Sequence, residues 1–284
     1  MHSDESTDGS RYRPVSVQPE ILPPLEDDAR QRTPLREPMV PQAAGVARAR
    51  GRWAIAPATY VLVGINCAVF LLMSLSGVST VAPRAIDLVH WGANWGTAVL
   101  EGQWWRLLTA TFVHVGIIHL ATNMWCLWNL GLLGEPLLGP VGMVAVYVLT
   151  GIAGNLLSTA VHPQIVGAGA SGAVFGLAGV LILLLRSKLL PVDPFELKRL
   201  RQSVIYFALL NFAIGAGTWL FRSGLQIDNM AHLGGFLSGL AVGLPLVPRI
   251  GARKPQFVTR QWVAFGGLAT LLVLFGFGVV SFWR

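Results

Sequence analysis

Seven apolar runs, each about as long as a transmembrane helix, recur along the chain and limit what it can fold into. A helix needs about 20 apolar residues to cross the roughly 30 Å hydrocarbon core of a bilayer. The chain is 53% hydrophobic and 12% charged, whereas soluble domains carry roughly 25% charged residues. The sequence therefore predicts an all-α polytopic membrane protein. The predicted spans are 57–76, 115–134, 140–160, 170–187, 202–221, 229–247 and 261–282.

The first 52 residues differ in composition from the rest of the chain. They are rich in Pro, Arg, Glu and Asp and contain few large apolar side chains. Such a segment buries too little apolar surface to offset the entropy that it would lose on ordering. We therefore expect residues 1–52 to form a disordered tail.

Lysine and arginine residues between the spans predict the orientation in the membrane. With the N-terminus inside, basic residues gather in inner segments near 48–52, 186–201 and 249–260, and only single arginines lie in the outer segments. Cytoplasmic loops carry such an excess of basic residues, which predicts an N-in, C-out topology. Because the basic residues lie mainly between the apolar runs, the net charge of +7 does not indicate nucleic acid binding. The expected environment is the lipid bilayer of the cell (plasma or inner) membrane.

A serine opens the fourth predicted span, and a histidine lies early in the sixth. Ser171 alone is as readily a helix cap or a packing residue, and it becomes a nucleophile only if a base reaches it. The candidate base is His232. Because the second, fourth and sixth spans run in the same direction, these two residues share a depth in the outer half of the membrane with His119 and Asn123. Polar and ionisable residues inside a membrane are costly and mark function.

Glycines on the fourth and sixth spans predict that these two helices approach closely. The sixth span carries Gly235 and Gly239 at four-residue spacing, and the fourth carries Gly172 and Gly176. Small residues at this spacing let helix backbones come together. His232 precedes Gly235 by three residues, so it lies on the glycine face. We therefore predict a Ser171–His232 dyad.

The predicted chemistry is hydrolysis of a peptide bond. His232 takes a proton from Ser171, which attacks the peptide carbonyl and forms an acyl-enzyme. The oxyanion that develops needs prearranged donors. Candidates are the Asn123 amide, the His119 ring and the backbone N–H of Ser171 at a helix N-terminus.

Five short motifs follow one another along the spans. They are Trp105-Arg106, His114 with His119 and Asn123, Gly131 with Glu135 and Gly139, Gly169 to Gly172, and Ala231 to Gly239. In this order they resemble the motifs of the rhomboid intramembrane serine proteases, although Phe175 is a departure, because the family often has Tyr there.

The resemblance implies a rhomboid-like core of six transmembrane helices at 53–250 and Ser/His catalysis without a cofactor. It implies substrates that are single-span membrane proteins cleaved within or near the outer half of the bilayer. The loop and seventh helix at 251–284 are similar to the six-plus-one arrangement of the family.

The other polar residues of these motifs have structural interpretations. Arg106 and Glu135 are interpreted as loop anchors, and His114, at the membrane edge, as a residue that holds the first loop. Asp228, four residues before His232, could orient it as a third triad member or cap the sixth helix. Three histidines could be imagined as zinc ligands, but the chain has no His-Glu-x-x-His sequence, and we predict no metal site.

Two alternatives to a protease remain open from the sequence. A transporter or channel would also have polar residues inside the membrane, but it predicts that they extend through the full membrane depth. A catalytically silent scaffold would bind client helices through the same fold. Only a test of activity separates the scaffold from the enzyme.

Overall fold

The computed structural model describes residues 56–220, 227–247 and 254–283, and the predicted tail at 1–52 lies outside them. These residues form an almost entirely helical structure, which confirms the predicted all-α membrane protein. Its elements in chain order are α1 Pro57–Leu75, α2 Ala85–His90, β1 Asn94–Trp95, α3 Gly96–Leu100, α4 Arg106–Thr109, α5 Ile117–Val161, β2 Val166–Gly167, α6 Ser171–Leu184, α7 Pro194–Leu220, α8 Asn229–Leu246 and α9 Lys254–Trp283.

Three helices within the described ranges are long and apolar enough to cross a membrane, namely α1, α5 and α9. Helix α5 has 45 residues, or about 68 Å at 1.5 Å per residue, which is twice the thickness of the hydrocarbon core. It breaks at Gly139, whose φ of 75° and ψ of 164° are not helical, directly before Pro140. The two halves of α5 correspond to the second and third predicted spans.

Helix α6 is shorter than the predicted span at 170–187. Its 14 residues measure about 21 Å, less than the thickness of the hydrocarbon core. Eleven of them are buried, so protein rather than lipid surrounds this helix. A helix enclosed by its neighbours does not have to match the bilayer thickness. For this reason the length of the apolar run overestimated the length of α6.

Glycines bring α6 into direct contact with α5 and α8. A side chain at Gly176 would overlap Thr150 of α5, and one at Gly239 of α8 would overlap the carbonyl oxygen of Gly176. At Gly179, an added Cβ would lie 2.5 Å from the carbonyl oxygen of Phe236. Helices α6 and α8 are therefore packed backbone to backbone, as small residues at helix interfaces allow, and the Thr150 side chain of α5 lies against the backbone of α6.

Glu135 on α5 holds the first turn of α1. Its carboxylate accepts hydrogen bonds from the backbone N–H groups of Ala58 (2.9 Å) and Thr59 (2.7 Å) and from the Thr59 hydroxyl (2.7 Å). N–H groups in the first turn of a helix have no intrahelical acceptor, so Glu135 supplies one from a neighbouring helix. The prediction that Glu135 anchors a loop is wrong, because its partners belong to a helix terminus.

The connection between α1 and α5 is ordered around a buried arginine. The guanidinium of Arg106 donates to the carbonyl oxygens of Val89 (2.7 Å) and Ala93 (3.1 Å) and stacks over the ring of Trp105 at 4.4 Å. Arg106 is therefore a loop anchor, as predicted. Strands β1 and β2 pair antiparallel over two residues each, a contact too short to be predicted from hydrophobic periodicity.

Helix α9 packs along the second half of α5. The buried side chain of Gln261 donates to the carbonyl oxygen of Leu138 at 2.7 Å, directly before the break in α5. Near the other end of α9, the Trp283 indole N–H donates to the carbonyl oxygen of Ala160 at 3.1 Å. These two bonds fix α9 to α5 directly before its break and near its C-terminal end.

Candidate active site

Ser171 is the first residue of α6. The residue at the N-cap position is Ala170, and no side chain caps this helix. The Ser171 hydroxyl therefore does not cap the helix, which was one of the roles that the sequence left open. Because the first N–H groups of a helix lack intrahelical acceptors, the backbone around Ser171 presents free donors at the positive end of the helix dipole.

The turn before Ser171 has a conformation that requires glycine. Gly169 has a φ of 135°, and a Cβ at this position would lie 2.6 Å from Cε1 of His119. The Gly169 N–H donates to the carbonyl oxygen of Ala110 at 2.9 Å. The absence of a side chain thus lets the His119 ring lie against the turn that leads into Ser171.

His232 lies in the first turn of α8, with 6% of its surface exposed. Its ring stacks on Phe175, with centroids 4.3 Å apart and planes 17° apart, and the centroid of the Phe212 ring on α7 lies 6.1 Å away with its plane inclined by 79°. Phe175 follows Ser171 by one helical turn, so the two share a face of α6. The structure thus places the candidate base against the residue that lies one turn after the candidate nucleophile.

The close approach of α6 and α8 is centred directly beside these two residues. A Cβ added to Gly235 would overlap the carbonyl oxygen of Gly172, the residue after Ser171. Gly154 of α5 lies beneath both helices, because its added Cβ would be 2.5 Å from the carbonyl oxygen of Ala231 and 3.4 Å from Cα of Gly172. Sequence reasoning identified the glycines of α6 and α8 but missed Gly154.

Hydrogen bonds assign the proton on the His119 ring. Nδ1 accepts from the backbone N–H of Val115 at 3.4 Å, so the neutral ring carries its hydrogen on Nε2. Nε2 lies 3.0 Å from the position of a Cβ at Gly169. The ring therefore places its Nε2 beside the turn that precedes Ser171.

Asn123 lies one turn further along α5. Its amide nitrogen donates one hydrogen to the carbonyl oxygen of His119 at 2.8 Å, which leaves the second amide hydrogen for another acceptor.

His114 is fully buried within the protein. Its Nδ1 lies 3.3 Å from the carbonyl oxygen of Phe112, and its Nε2 accepts from the Ala170 N–H at 3.4 Å. The two bonds are compatible with one neutral tautomer, protonated at Nδ1. His114 therefore contacts both the end of the first loop and the residue directly before Ser171, and its position at the membrane edge stays a prediction.

The Asp228 carboxylate caps α8 and makes no hydrogen bond to the His232 ring. One carboxylate oxygen accepts from the Ala231 N–H at 2.9 Å and the other from the Ser158 hydroxyl at 2.5 Å. Nδ1 of His232 is buried without a hydrogen-bond partner. Of the two interpretations of Asp228, the helix cap is the one found. Sequence reasoning missed Ser158, which lies 70 residues away in the chain.

In the described part of the chain, no group of three or more His, Cys, Asp or Glu side chains is arranged to hold an ion. The rings of His114 and His119 lie 5.4 Å apart, and both are held by backbone groups.

Comparison with known families identifies the chain. The sequence model described as "Rhomboid domain" matches residues 101–249, more than half of the chain. The chain belongs to the rhomboid family. This result confirms the resemblance recognised from the five motifs, and it makes the protein an integral membrane protein of that family.

Rhomboid relatives come from several kingdoms. "Rhomboid protease GluP" of Bacillus subtilis is 32% identical over 214 residues, which cover 74% of this chain and 39% of that protein. "RHOMBOID-like protein 6, mitochondrial" of Arabidopsis thaliana is 31% identical over 208 residues, covering 67% and 64%. "Rhomboid-like protease 1" of Toxoplasma gondii is 32% identical over 195 residues, covering 68% and 63%. The chain therefore spans less than two thirds of the length of these relatives.

Proposed function

We propose that this rhomboid is an intramembrane serine endopeptidase that cleaves single-span membrane proteins through a Ser171–His232 dyad. The observation that carries the proposal is the contact between α6 and α8. The Gly172 carbonyl lies against Gly235, one residue from Ser171 and three from His232, and Phe175 stacks on the histidine ring. Two relatives carry "protease" in their names, which supports the same reaction here.

In the proposed reaction, the His232 imidazole removes the proton of the Ser171 hydroxyl as its oxygen attacks the peptide carbonyl. The C–N bond breaks, the leaving amine takes the proton from His232, and the acyl group stays on Ser171. Water, deprotonated by the same imidazole, then attacks the ester and releases the carboxylate product. No third residue is required, since the free Nδ1 of His232 and the cap role of Asp228 fit a dyad.

Three donors are proposed to stabilise the oxyanion of each tetrahedral intermediate. They are the Nε2–H of His119, the second amide hydrogen of Asn123 and the backbone N–H of Ser171. The tautomer of His119 and the position of its ring at Gly169 support the first donor, and the N-terminal position of Ser171 in α6 supports the third. Preorganised donors of this kind stabilise charge without reorganisation during the reaction.

We propose a seven-span, N-in, C-out topology in the cell membrane, with the site in the outer half of the bilayer. The two halves of α5 count as separate spans, and α7 and α8 complete the core with α1 and α6. The distribution of basic residues supports the orientation. The short α6 supports the depth of the site. Its 14 residues measure about 21 Å, less than the thickness of the hydrocarbon core. If the inner end of α6 is level with the inner ends of its neighbours, Ser171 at the other end lies below the outer membrane surface.

Cleavage by purified protein tests this proposal. The chain would be reconstituted into liposomes with a model single-span substrate, and wild type compared with Ser171→Ala and His232→Ala. Matched controls are Ser74→Ala, a serine on α1 bonded to its own helix, and His90→Ala, an exposed histidine. We expect cleavage by wild type and both controls and none above background by the two site variants. Equal cleavage by wild type and Ser171→Ala would refute the serine mechanism.

A further inference from the structure

The His232 ring lacks a hydrogen bond that would fix its orientation. In a three-residue serine site, a carboxylate bonds the histidine and sets its position. Here Nδ1 is buried and unpartnered, and the ring is held by stacking on Phe175. Stacking keeps the ring plane but does not prevent sliding along the helix axis, so the position of the ring depends on the backbone of the first turn of α8.

That first turn is fixed to α5 by one side-chain bond at its start. The Asp228 carboxylate accepts from the Ala231 N–H with one oxygen and from the Ser158 hydroxyl of α5 with the other. The Asp228 carbonyl oxygen accepts from the His232 N–H at 3.2 Å. Asp228 therefore links Ser158 of α5 to the backbone of His232 in two ways. Its carboxylate bonds the N–H of the preceding residue, Ala231, and its carbonyl oxygen bonds the N–H of His232 itself.

The glycine contact between this turn of α8 and α5 sets the distance between the two helices but not their register. A Cβ at Gly234 would lie 2.8 Å from both the carbonyl oxygen of Ala153 and Cβ of Leu157. A glycine contact permits close approach, yet it has no directional bond that resists rotation or sliding of α8. Among the described contacts at this end of α8, the bond from Ser158 to Asp228 supplies that direction.

We propose that Asp228, held by Ser158, is a positioning residue that fixes the first turn of α8 and thereby keeps His232 in line with Ser171. This inference rests on the proposed function. It assigns Asp228 a role through two hydrogen bonds, not through its negative charge and not through contact with the reacting atoms. Asparagine would retain both bonds, because its oxygen can accept from Ala231 and its amide can donate to the Ser158 oxygen. Alanine would lose both.

Cleavage kinetics in liposomes test the role with four variants. We expect Asp228→Ala to lower kcat by about 10- to 100-fold, since a displacement near 1 Å can cost 10²-fold, with KM unchanged because no substrate contact is lost. Asp228→Asn should retain kcat within about threefold of wild type, because asparagine keeps both hydrogen bonds and is an equally good helix cap. Ser158→Ala should fall between them, and the double variant should be no slower than Asp228→Ala. Thr159→Val is the matched control, because its hydroxyl bonds Asn94 rather than α8.

Amide hydrogen exchange provides a readout that does not depend on cleavage. Exchange at Ala231 and His232 should accelerate in Asp228→Ala and Ser158→Ala and remain slow in Asp228→Asn. Wild-type kcat in Asp228→Ala, an equal loss in Asp228→Asn, or a loss explained by a smaller folded fraction would each overturn the inference. Faster exchange without any cleavage by wild type would instead refute the proposed function and leave the anchoring of α8 demonstrated.

Discussion

Replacing Gly235 with alanine would insert a methyl group into the closest contact between α6 and α8. The added Cβ would overlap the carbonyl oxygen of Gly172, whereas ordinary van der Waals contact begins at 3.4 Å. The neighbour is backbone and cannot rotate away, so the helices must separate by about 1.4 Å to restore ordinary contact. A misplacement of this size can lower a rate by about 10²-fold, and we expect that loss in kcat.

The same change should also lower the stability of the fold, because the overlapping atom is backbone rather than the end of a flexible side chain. Overpacking costs about 1–3 kcal/mol and occasionally more, and replacing glycine by alanine inside a helix returns up to about 1 kcal/mol. We therefore expect a lower melting temperature together with the loss in kcat, and the rates are compared for the folded fraction of each variant.

The assay compares cleavage of a single-span substrate with thermal unfolding for each variant. Gly64→Ala is the control, because Gly64 lies inside α1 with nothing within 4 Å of its added Cβ, and this variant should keep its rate. Gly239→Ala lies one turn further from His232 and should reduce the rate less than Gly235→Ala. Wild-type cleavage by a folded Gly235→Ala protein would refute the argument that this contact aligns the dyad.

Two further predictions concern residues at other positions. His119→Ala should lower kcat by about 10²- to 10³-fold, as expected for loss of one oxyanion donor, and kinetics at saturating substrate would measure it; a loss confined to KM would contradict the role. Glu135→Ala should destabilise the protein by about 1–3 kcal/mol, because three donors of α1 lose a buried acceptor. Thermal unfolding would detect this change, and an unaltered midpoint would contradict it, whereas kcat of the folded fraction should stay at the wild-type value.

Apolar run length and glycine spacing were sufficient to predict most helices and the pairing of α6 with α8. The ends of α1 and α8 agree with the predicted spans within one residue, because both are limited by strong local signals, a proline in the first turn of α1 and the Asp228 cap of α8. The break in α5 was predictable because Gly139 precedes Pro140, and neither favours continued helix.

Long-range polar contacts could not be predicted from the sequence. The bond from Ser158 to Asp228 joins residues 70 positions apart, and the bond from Ala170 to His114 joins residues 56 apart. Neither pair has a periodic pattern, because each depends on where two helices or a loop and a helix meet. The target of Glu135 was missed for the same reason, since a single carboxylate on α5 gives no indication of which N–H groups lie opposite it.

Covalent labelling of the serine tests the Ser171–His232 dyad most directly. The purified protein in liposomes would be treated with a fluorophosphonate, which reacts with activated serine hydroxyls, and the modified residue identified by peptide mass spectrometry. We expect phosphonate on Ser171 in wild type, with labelling lost in His232→Ala and kept in His90→Ala. Modification of another serine, or labelling of Ser171 that does not depend on His232, would contradict the account.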